Sequence, residues 1–314
     1  MDLLKRFEAG DIRALSRLIS RVENASEGYR DLLGQLYPQT GRSLRIGITG
    51  PPGAGKSTLV NCLAHEFLGR EQRVGIIAVD PSSPFTGGAL LGDRVRMNEF
   101  PLDGSVYFRS MASRGASGGL STATNNVALV LDAFGFDVTL IETVGVGQIE
   151  LDIIDACDVV VVAVVPESGD AVQTLKAGLM EIAHIMVVNK ADRPGSESVV
   201  TELRQTFRLK KKDPEQWSIP VLATEALNNK GIDKLVAKID SFLEHQRETG
   251  ELDRQRRCRL RAMILNILTN RFRQDFLDKL ANRPDLDEAV DAIYEGRANP
   301  YQISRELYKR FASE

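Results

Sequence analysis

A glycine-rich turn followed by a lysine and a hydroxyl residue is the segment of this sequence whose chemistry is easiest to state. Residues 44–58 read LRIGITGPPGAGKST, so an apolar run leads into the turn and the turn leads into a predicted helix. Glycine lets the backbone curl until several N–H groups point at one phosphate chain. The lysine adds a positive charge, and the serine hydroxyl is a ligand for Mg²⁺. This order predicts a P-loop, with nucleotide contacts at Gly50, Gly53, Ala54, Gly55, Lys56, Ser57 and Thr58.

A glycine-rich turn that binds no ligand is the simplest alternative for this segment. The full motif spacing and the strand-to-helix context both argue against it. A helix dipole contributes only about 1 kcal/mol at an exposed site, so the converging N–H groups and Lys56 must supply most of the anion binding. Nucleotide binding is therefore the first functional expectation.

Two aspartates are candidate ligands of the metal or of its water shell. Asp80 follows a predicted strand at residues 73–79, and ligands bind at the C-terminal edge of such strands in open α/β sheets. Its alternative role is to begin a turn before Pro81. Asp93 lies in the glycine-rich segment GGALLGDR, which can close over a γ-phosphate as a switch. A helix N-cap is the alternative for Asp93.

The motif ETVG, which begins at Glu142, stands where a Walker B carboxylate and a switch glycine are expected. Glu142 is a candidate metal-site carboxylate or water organiser, and Gly145 is a candidate backbone donor to the γ-phosphate. Val146 stands where Ras-type GTPases have the glutamine that orients water. Another group must therefore position the nucleophile. We rank Asp93 ahead of Asp80 because its glycine-rich setting allows movement.

The motif NKAD follows a predicted buried strand at residues 184–188 and predicts recognition of guanine. The Asp192 carboxylate can accept from both N1–H and the 2-amino group of guanine, an arrangement that adenine lacks. Such a site can discriminate between bases by roughly 10⁴, because the wrong base leaves buried groups unpaired. A plain polar loop is the alternative. The predicted contacts at this end of the site are Asn189, Lys190 and Asp192, with Thr224, Glu225 and Ala226 in the loop that packs on the base.

The elements around these motifs predict an α/β fold, a P-loop NTPase with a mostly parallel sheet flanked by helices. A helix ending near residue 134 separates a short predicted strand at 105–108 from the next one at 137–142. A crossover of this kind makes the two strands parallel, unlike the hairpin at this point in Ras-type proteins.

Helical segments are predicted on both sides of this domain. Two short helices precede it, with Asp11 as a cap for the second, and residues 28–43 are predicted to be a connector. Helices are also predicted at residues 228–247, 254–280, 285–295 and 300–312. The predicted domains are an N-terminal helical arm at 1–40, the P-loop domain at 41–247 and a C-terminal helical element at 248–314.

Composition excludes several other classes of function. The chain has 314 residues, 43% of them hydrophobic and 26% charged, and a net charge of −3 gives no case for nucleic acid or anionic lipid as a partner. No apolar run approaches about 20 residues and no signal peptide is evident, so a cytoplasmic protein without a membrane segment is expected. The three cysteines Cys62, Cys157 and Cys258 form no metal-ligand pattern and are expected to be small buried hydrophobes.

Five motifs, taken in their order and spacing, resemble those of the MeaB/ArgK/MMAA family of GTPases. They are GPPGAGKST, AVDPSSPFTGGALLGDR, ETVGVGQIE, ESGDAVQTLKAG and NKAD. The resemblance is dense over residues 40–245. It implies a GTP-dependent chaperone that gates cofactor loading and protects an adenosylcobalamin-dependent acyl-CoA mutase, such as methylmalonyl-CoA or isobutyryl-CoA mutase. It also implies catalytic and metal-site roles for Lys56, Asp80, Asp93 and Glu142, with GTP or GDP and Mg²⁺ as ligands and adenosylcobalamin reached only through the partner enzyme.

Residues 166–178 match the third switch of that family, which meets the partner. Asp170, Gln173 and Lys176 are spaced three apart and predict a polar edge near the nucleotide. An ordinary strand-to-helix loop with solvated charges is the alternative. Ala177 departs from the family pattern, in which a second lysine is common there.

Two further points follow from the resemblance. Relatives usually have serine where Glu225 stands, so this residue changes the loop expected to pack on the base. The C-terminal helices resemble a dimerisation element and predict a homodimer, although packing within the monomer is an equal alternative for their apolar stripe.

Two other functions compete with this interpretation. A nickel-enzyme maturation GTPase needs a Cys/His cluster, whereas the three histidines of the chain, His65, His184 and His245, are far apart in the sequence. A P-loop kinase of a small molecule or of a transport protein would need an acceptor pocket and has no use for NKAD. Phosphate release from GTP without an added acceptor distinguishes the kinase from the GTPase.

Overall fold

The computed structural model shows a parallel α/β sheet between helices, followed by further helices. The structure describes residues 3–80, 100, 103–112, 122–143, 149–166, 177–210, 217–281 and 284–312. Contacts within the chain divide it into two compact units, Met1–Arg256 and Arg257–Glu314. The sheet and the motifs all lie in the first unit.

Seven strands form one sheet in the described part of the chain, and every neighbouring pair is parallel. The strands are β1 (Leu44–Thr49), β2 (Val74–Asp80), β3 (Val106–Ala112), β4 (Val138–Glu142), β5 (Val159–Val164), β6 (Ile185–Val188) and β7 (Val221–Ala223). Their order is β3-β2-β4-β1-β5-β6-β7. The predicted parallel α/β fold is confirmed. Because parallel strands end at one edge, the segments after β1, β4, β6 and β7 meet there, and this edge is where open α/β sheets bind ligands.

Helices cover both faces of the sheet and continue beyond it. Those of the first part are α1 (Leu3–Glu8), α2 (Ile12–Glu23), α3 (Tyr29–Leu36), α4 (Lys56–Leu68), α5 (Thr122–Phe134), α6 (Ile149–Ala156), α7 (Ala177–Ile182), α8 (Ser196–Lys210) and α9 (Ile232–Glu248). They are followed by α10 (Glu251–Ala281), α11 (Pro284–Tyr294) and α12 (Pro300–Ala312). Two 3₁₀ turns, Tyr37–Gln39 and Ala226–Asn228, complete the description.

Alternate residues of each strand point to opposite faces of the sheet, and both faces are buried. Val160 and Val162 of β5 belong to one cluster with α1–α3 and α5–α8, whereas Val159 and Val161 belong to another with α4 and α9. A strand buried on both faces reads as a continuous apolar run, as DVVVVAVV does here. Full burial of one such side chain contributes about 1.5–3 kcal/mol, so this three-layer core fixes the edge that carries the motifs.

The N-terminal helices pack on the sheet through the first of these clusters. Asp11 caps α2 by accepting from the backbone N–H groups of Arg13 (2.8 Å) and Ala14 (3.3 Å), which confirms the predicted cap. The predicted connector at 28–43 was wrong in part, because it contains α3 and a 3₁₀ turn. Leu36, hidden among turn residues in the sequence, is fully buried in the cluster and stabilises that helix.

Two element bounds differ from the sequence-based expectation. The short strand predicted at 105–108 continues to Ala112, because the whole segment pairs in register with β2. The helix predicted to begin at residue 228 begins at Ile232. A 3₁₀ turn precedes it, and Gly231 has a left-handed φ of 76° that ends this turn before the helix starts.

The C-terminal helices lie where the sequence predicts them, as α10, α11 and α12. Among the cysteines, Cys157 is buried and Cys62 is half-buried, but Cys258 is exposed, so the expectation of burial was wrong for that residue. Within the described residues, no helix combines the length and the apolar character needed to cross a membrane.

Candidate nucleotide-binding site

The loop between β1 and α4 has a backbone that requires glycine at two positions. Gly50 has a φ of 137°, and a Cβ there would overlap the Ala163 carbonyl of β5. Gly55 has a φ of 81°, and a Cβ there would overlap the Asn189 side-chain nitrogen. Both conformations are strained for other residues. The loop is therefore packed against the two neighbouring strand ends, and its shape is fixed by the sheet.

Lys56 is the first residue of α4 and is only 6% exposed. Its Nζ donates to the carbonyl oxygens of Gly50 (2.8 Å) and Pro51 (3.0 Å). The ammonium group therefore lies inside the curve of the loop, beside the backbone that a phosphate chain would follow. Ala54 is fully buried beneath the loop, and Gly53 and Thr58 complete the predicted segment.

Ser57 and Glu142 come from different elements and meet at the sheet edge. The Ser57 hydroxyl donates to the Glu142 carboxylate, and Glu142 is 7% exposed at the end of β4. Hydroxyl and carboxylate oxygens are the ligands that Mg²⁺ prefers. The donor set therefore fits a magnesium ion held between the P-loop helix and β4.

A buried pair of threonines beneath this position was missed by the sequence analysis. The Thr143 hydroxyl donates to the Thr49 hydroxyl (2.9 Å), and both residues are at most 1% exposed. The pair joins the end of β1 to the end of β4, and its two residues are the sequence neighbours of Gly50 and Glu142. The signal was a threonine at the end of each predicted strand, but only the parallel register places the two side by side.

Asn189 connects the phosphate end of the site with the base end. Its Nδ2 donates to the Ala54 carbonyl (2.9 Å), and its Oδ1 accepts from Thr224 Oγ1 (3.1 Å) and from the Ala226 N–H (3.2 Å). The residue is 2% exposed. Three segments that are far apart in the sequence are thereby held by one buried amide.

The rest of the NKAD segment is fixed by backbone contacts. Lys190 has a left-handed φ of 56°, and the Ala191 N–H donates to the Thr224 carbonyl (3.0 Å). Thr224 in turn donates through its own N–H to Val188 of β6 (2.9 Å). Asp192 follows this bend and is exposed at the edge of the sheet. The NKAD segment and the loop at residues 224–226 therefore form one connected surface.

Glu225 makes its side-chain contacts within its own loop. Its carboxylate pairs with Lys230 (2.9 Å) and accepts from the Asn228 side chain (3.0 Å). Hydrogen bonds from Lys230 and then from Asn228 hold the pKa of this carboxyl below its usual range. Sequence analysis missed Lys230, whose only signal was an opposite charge five residues later in a turn rich in asparagine and glycine.

Some predicted residues are not placed by the structure. Asp93, Gly145, Asp170, Gln173 and Lys176 lie outside the described residues. The backbone of Asp80 ends β2 at the expected edge, but its side chain is also outside the description. Across the described ranges, no group of three or more His, Cys, Asp or Glu side chains could hold a metal ion. The site residues as a set therefore stay predictions.

Comparison of the sequence with models of known families identifies the family to which the chain belongs. The sequence model of the family described as methylmalonyl Co-A mutase-associated GTPase MeaB matches residues 15–281. The chain belongs to the MeaB family. The match spans the glycine-rich loop, the ETVG and NKAD motifs and all of α10, so it covers every part of the site described above.

Similar proteins agree with MeaB membership. A protein of Pyrococcus abyssi is 44% identical over 310 residues, covering 98% of this chain and 95% of its own length. The mouse mitochondrial methylmalonic aciduria type A homolog is 30% identical over 308 residues, covering 96% of this chain and 72% of its own length. A crystal structure described as an LAO/AO transport system kinase superposes with a TM-score of 0.70 at 25% identity, covering 99% of this chain and 96% of that one.

The MeaB family assigns the reaction of this site. The protein is a GTPase with a P-loop fold, and the recognition made from its five sequence motifs is confirmed. Within the chain, the sheet holds the glycine-rich loop in shape, and Asn189 connects that loop to the NKAD segment.

Proposed function

We propose that this GTPase is a chaperone that gates cofactor loading and protects an adenosylcobalamin-dependent acyl-CoA mutase, of the methylmalonyl-CoA or isobutyryl-CoA type. The observation that carries the proposal is the family match, since that family is described as associated with methylmalonyl Co-A mutase. We place the protein in the cytoplasm. Adenosylcobalamin is reached only through the partner enzyme.

The phosphate chain is held by the backbone N–H groups of the glycine-rich loop and by Lys56. The ammonium lies within the loop and is anchored by two carbonyl oxygens, so it is positioned before the nucleotide arrives. Preorganised charge of this kind is more effective than a mobile side chain, because little reorganisation accompanies binding.

Mg²⁺ would be held by Ser57 and by carboxylates, with Glu142, Asp80 and Asp93 as the candidates. A bound Mg²⁺ neutralises charge that develops on the β and γ phosphates. Within the chain, Glu142 accepts from the Ser57 hydroxyl and keeps that oxygen facing the phosphate loop. The buried threonine pair adds a side-chain hydrogen bond between the ends of β1 and β4, which are already paired along their backbones.

The guanine base is read by Asp192, while Asn189 and the loop at residues 224–226 shape its surroundings. The attacking water is oriented by Asp93, with Asp80 and Glu142 as the alternatives. Gly145 donates its N–H to the γ-phosphate. These roles follow the family motifs and the order of the strand ends.

The partner contacts the third switch, residues 166–178. If the mutase favours one conformation of this segment, linkage requires that the nucleotide state changes mutase affinity by the same free energy. Asp170, Gln173 and Lys176 are the polar positions proposed to transmit this effect.

The test is steady-state phosphate release with and without a cobalamin-dependent mutase from the same organism. The variant Asp170→Ala with Lys176→Ala is expected to keep intrinsic hydrolysis within about threefold and to lose most of the stimulation, since typical couplings are about 1–3 kcal/mol. Undiminished stimulation would remove the third-switch assignment. Failure of every such mutase to bind in affinity capture would remove the chaperone proposal and leave the GTPase.

A kinase of a small molecule or transport protein is the second candidate, because one similar structure is described as an LAO/AO transport system kinase. If the protein releases phosphate from GTP with no acceptor present, that result would oppose the kinase assignment. Acceptor-dependent loss of GTP without free phosphate would favour it.

The homodimer proposal rests on apolar side chains of α10 that face solvent in the single chain. Ile264 is 58% exposed and Phe272 is 73% exposed, and an apolar stripe of this length is usually covered by a partner. We expect Phe272→Asp to shift sedimentation from dimer to monomer at micromolar concentration. Asn270→Asp, an exposed position on the same helix, adds the same charge and serves as the control.

A further inference from the structure

Glu225, in the loop at residues 224–226, forms an ion pair with Lys230. GTP hydrolysis does not require this pair. Glu225 and Lys230 exchange two backbone hydrogen bonds, from the Glu225 N–H to the Lys230 carbonyl (3.1 Å) and in the reverse direction (3.2 Å). Their side chains then pair at 2.9 Å. Glu225 and Lys230 are therefore joined both by backbone hydrogen bonds and by an ion pair between their side chains.

The backbone around this pair is bent in a way that few sequences allow. Asn229 and Gly231 both have left-handed φ values, 52° and 76°. A Cβ at Gly231 would lie 2.6 Å from the Ala223 carbonyl, so this residue must be glycine. The turn therefore brings Lys230 back over Glu225, and α9 begins immediately afterwards at Ile232.

The other side of the same loop is anchored to the phosphate end. Asn189 accepts from Thr224 and Ala226, and the Cys62 thiol of α4 contacts the Ala226 carbonyl (3.2 Å). These contacts hold the two residues on either side of Glu225. In the described structure the Glu225 carboxylate itself pairs with Lys230 and accepts a hydrogen bond from the Asn228 side chain.

We propose that Lys230 is a positioning residue for guanine binding, which acts by holding Glu225 and thereby the loop at 224–226 in the shape that receives the base. The inference rests on the proposed assignment of this loop to the base. An exposed ion pair usually contributes little, because ordering two side chains offsets the attraction. Here the backbone already holds both residues, so much of that ordering is complete before the charges meet.

The ion pair also explains how this chain can carry glutamate in the loop assigned to the base. A carboxylate facing the base would repel the nucleotide's phosphates and the Asp192 carboxylate. Pairing with Lys230 at 2.9 Å offsets this negative charge. Lys230 therefore makes Glu225 compatible with a nucleotide site.

The experiment measures the Kd of the full-length protein for GDP and, separately, for pyrophosphate, which carries the phosphates without the base. Lys230→Ala is expected to raise the Kd for GDP about fivefold, the upper range for one exposed pair. It is expected to leave the Kd for pyrophosphate, the kcat at saturating GTP and the thermal midpoint close to those of the parent. Lys230→Arg keeps the charge and should restore the Kd for GDP to within about twofold.

Lys234→Ala is the matched control, because it removes the same charge from an exposed position in the first turn of α9. Equal GDP affinity in the Lys230 and Lys234 variants would overturn the inference. So would an equal loss of GDP and pyrophosphate affinity, which would indicate a general defect in folding. If Asp192→Asn shifts base preference while Lys230→Ala has no effect, the positioning role alone fails. If Asp192→Asn shifts nothing, the base assignment fails and this inference fails with it.

Discussion

The phosphate end and the base end of the nucleotide site are constructed differently. At the phosphate end, packing against β5 and Asn189 dictates glycine at two positions, and Lys56 is buried. At the base end, Asp192 is exposed and the Lys230 side chain is 67% exposed. The first end therefore depends on a backbone that the sheet fixes. The second depends on exposed side chains, among them Lys230 in its pair with Glu225.

The largest expected effect is at the base end. Asp192→Asn should weaken GTP and improve XTP, because an amide can donate to the carbonyl that xanthine has where guanine has its amine. The ratio of the two affinities is expected to change by roughly 10⁴. Competition binding measures it, and pyrophosphate affinity should stay unchanged. A variant that binds ATP as well as GTP would show that this residue does not read guanine.

The next effect concerns the phosphate end. Lys56→Ala should lower affinity for both GTP and GDP by about 10³, because it removes charge-assisted hydrogen bonds to two phosphates. Circular dichroism should show an intact fold, since the Lys56 ammonium donates to carbonyl oxygens of the loop and lies outside the apolar clusters of the sheet. Calorimetry that finds GDP affinity unchanged would contradict the assigned role.

A smaller effect on the chemical step should separate binding from hydrolysis. If Asp93 orients the attacking water, Asp93→Ala keeps GTP bound but slows single-turnover hydrolysis by about 10², the usual scale for a positioned base. Rapid-quench measurement with excess protein tests this. An unaltered rate would transfer the role to Asp80 or Glu142, and neither outcome changes the comparison between the two ends.

The smallest expected effect concerns stability rather than nucleotide binding, and it comes from a fall in pH. His184 lies just before β6, at the opposite end of that strand from Asn189, and its ring stacks on Phe242 and accepts from the Val160 N–H (3.0 Å). Burial lowers its pKa to about 4 from 6.5. As the pH falls, His184 therefore takes up a proton in the unfolded chain before it does so in the folded one. The stability that comes from burying the neutral ring is present above pH 6.5 and is lost as the pH falls toward 4.

Between pH 7 and 5.5 the loss from this one residue should be about 1 kcal/mol in the free energy of unfolding. Urea titration at the two pH values measures it, with His184→Gln as the variant that should lose the dependence. The ratio of GTP to XTP affinity should stay constant over this range. A pH dependence equal in parent and variant would exclude His184 as its source.

Much of the fold could be predicted because many of its elements have a recognisable pattern in their own residues. The run DVVVVAVV predicts a strand buried on both faces, and Asp11 predicts the start of α2. The extension of β3 to Ala112 could not be predicted, since it depends on pairing with β2 rather than on its own residues. Leu36 was missed for a related reason. Its burial depends on the cluster that α3 joins, which no local pattern reveals.

The motifs of the site were predictable, but the contacts between them were not. Glycines, Lys56 and NKAD occur at fixed spacings that chemistry requires. Asn189 reaching Ala54, and Thr143 reaching Thr49, depend on which strands are neighbours. The Glu225–Lys230 pair depends on two left-handed residues in one short turn. Such contacts follow from the assembled sheet and can be read only from it.

The central position of β1 has a consequence for the time at which the protein becomes functional during synthesis. This strand carries the phosphate loop, yet its neighbours β4 and β5 lie about a hundred residues later in the chain. The loop at 224–226 is made later still. At typical elongation rates, roughly 10 to 30 s separate synthesis of the phosphate loop from synthesis of the base loop. The emerging chain therefore passes through a period in which its nucleotide-binding loop exists but cannot close around a nucleotide, and ribosome-bound chaperones would meet it in that form.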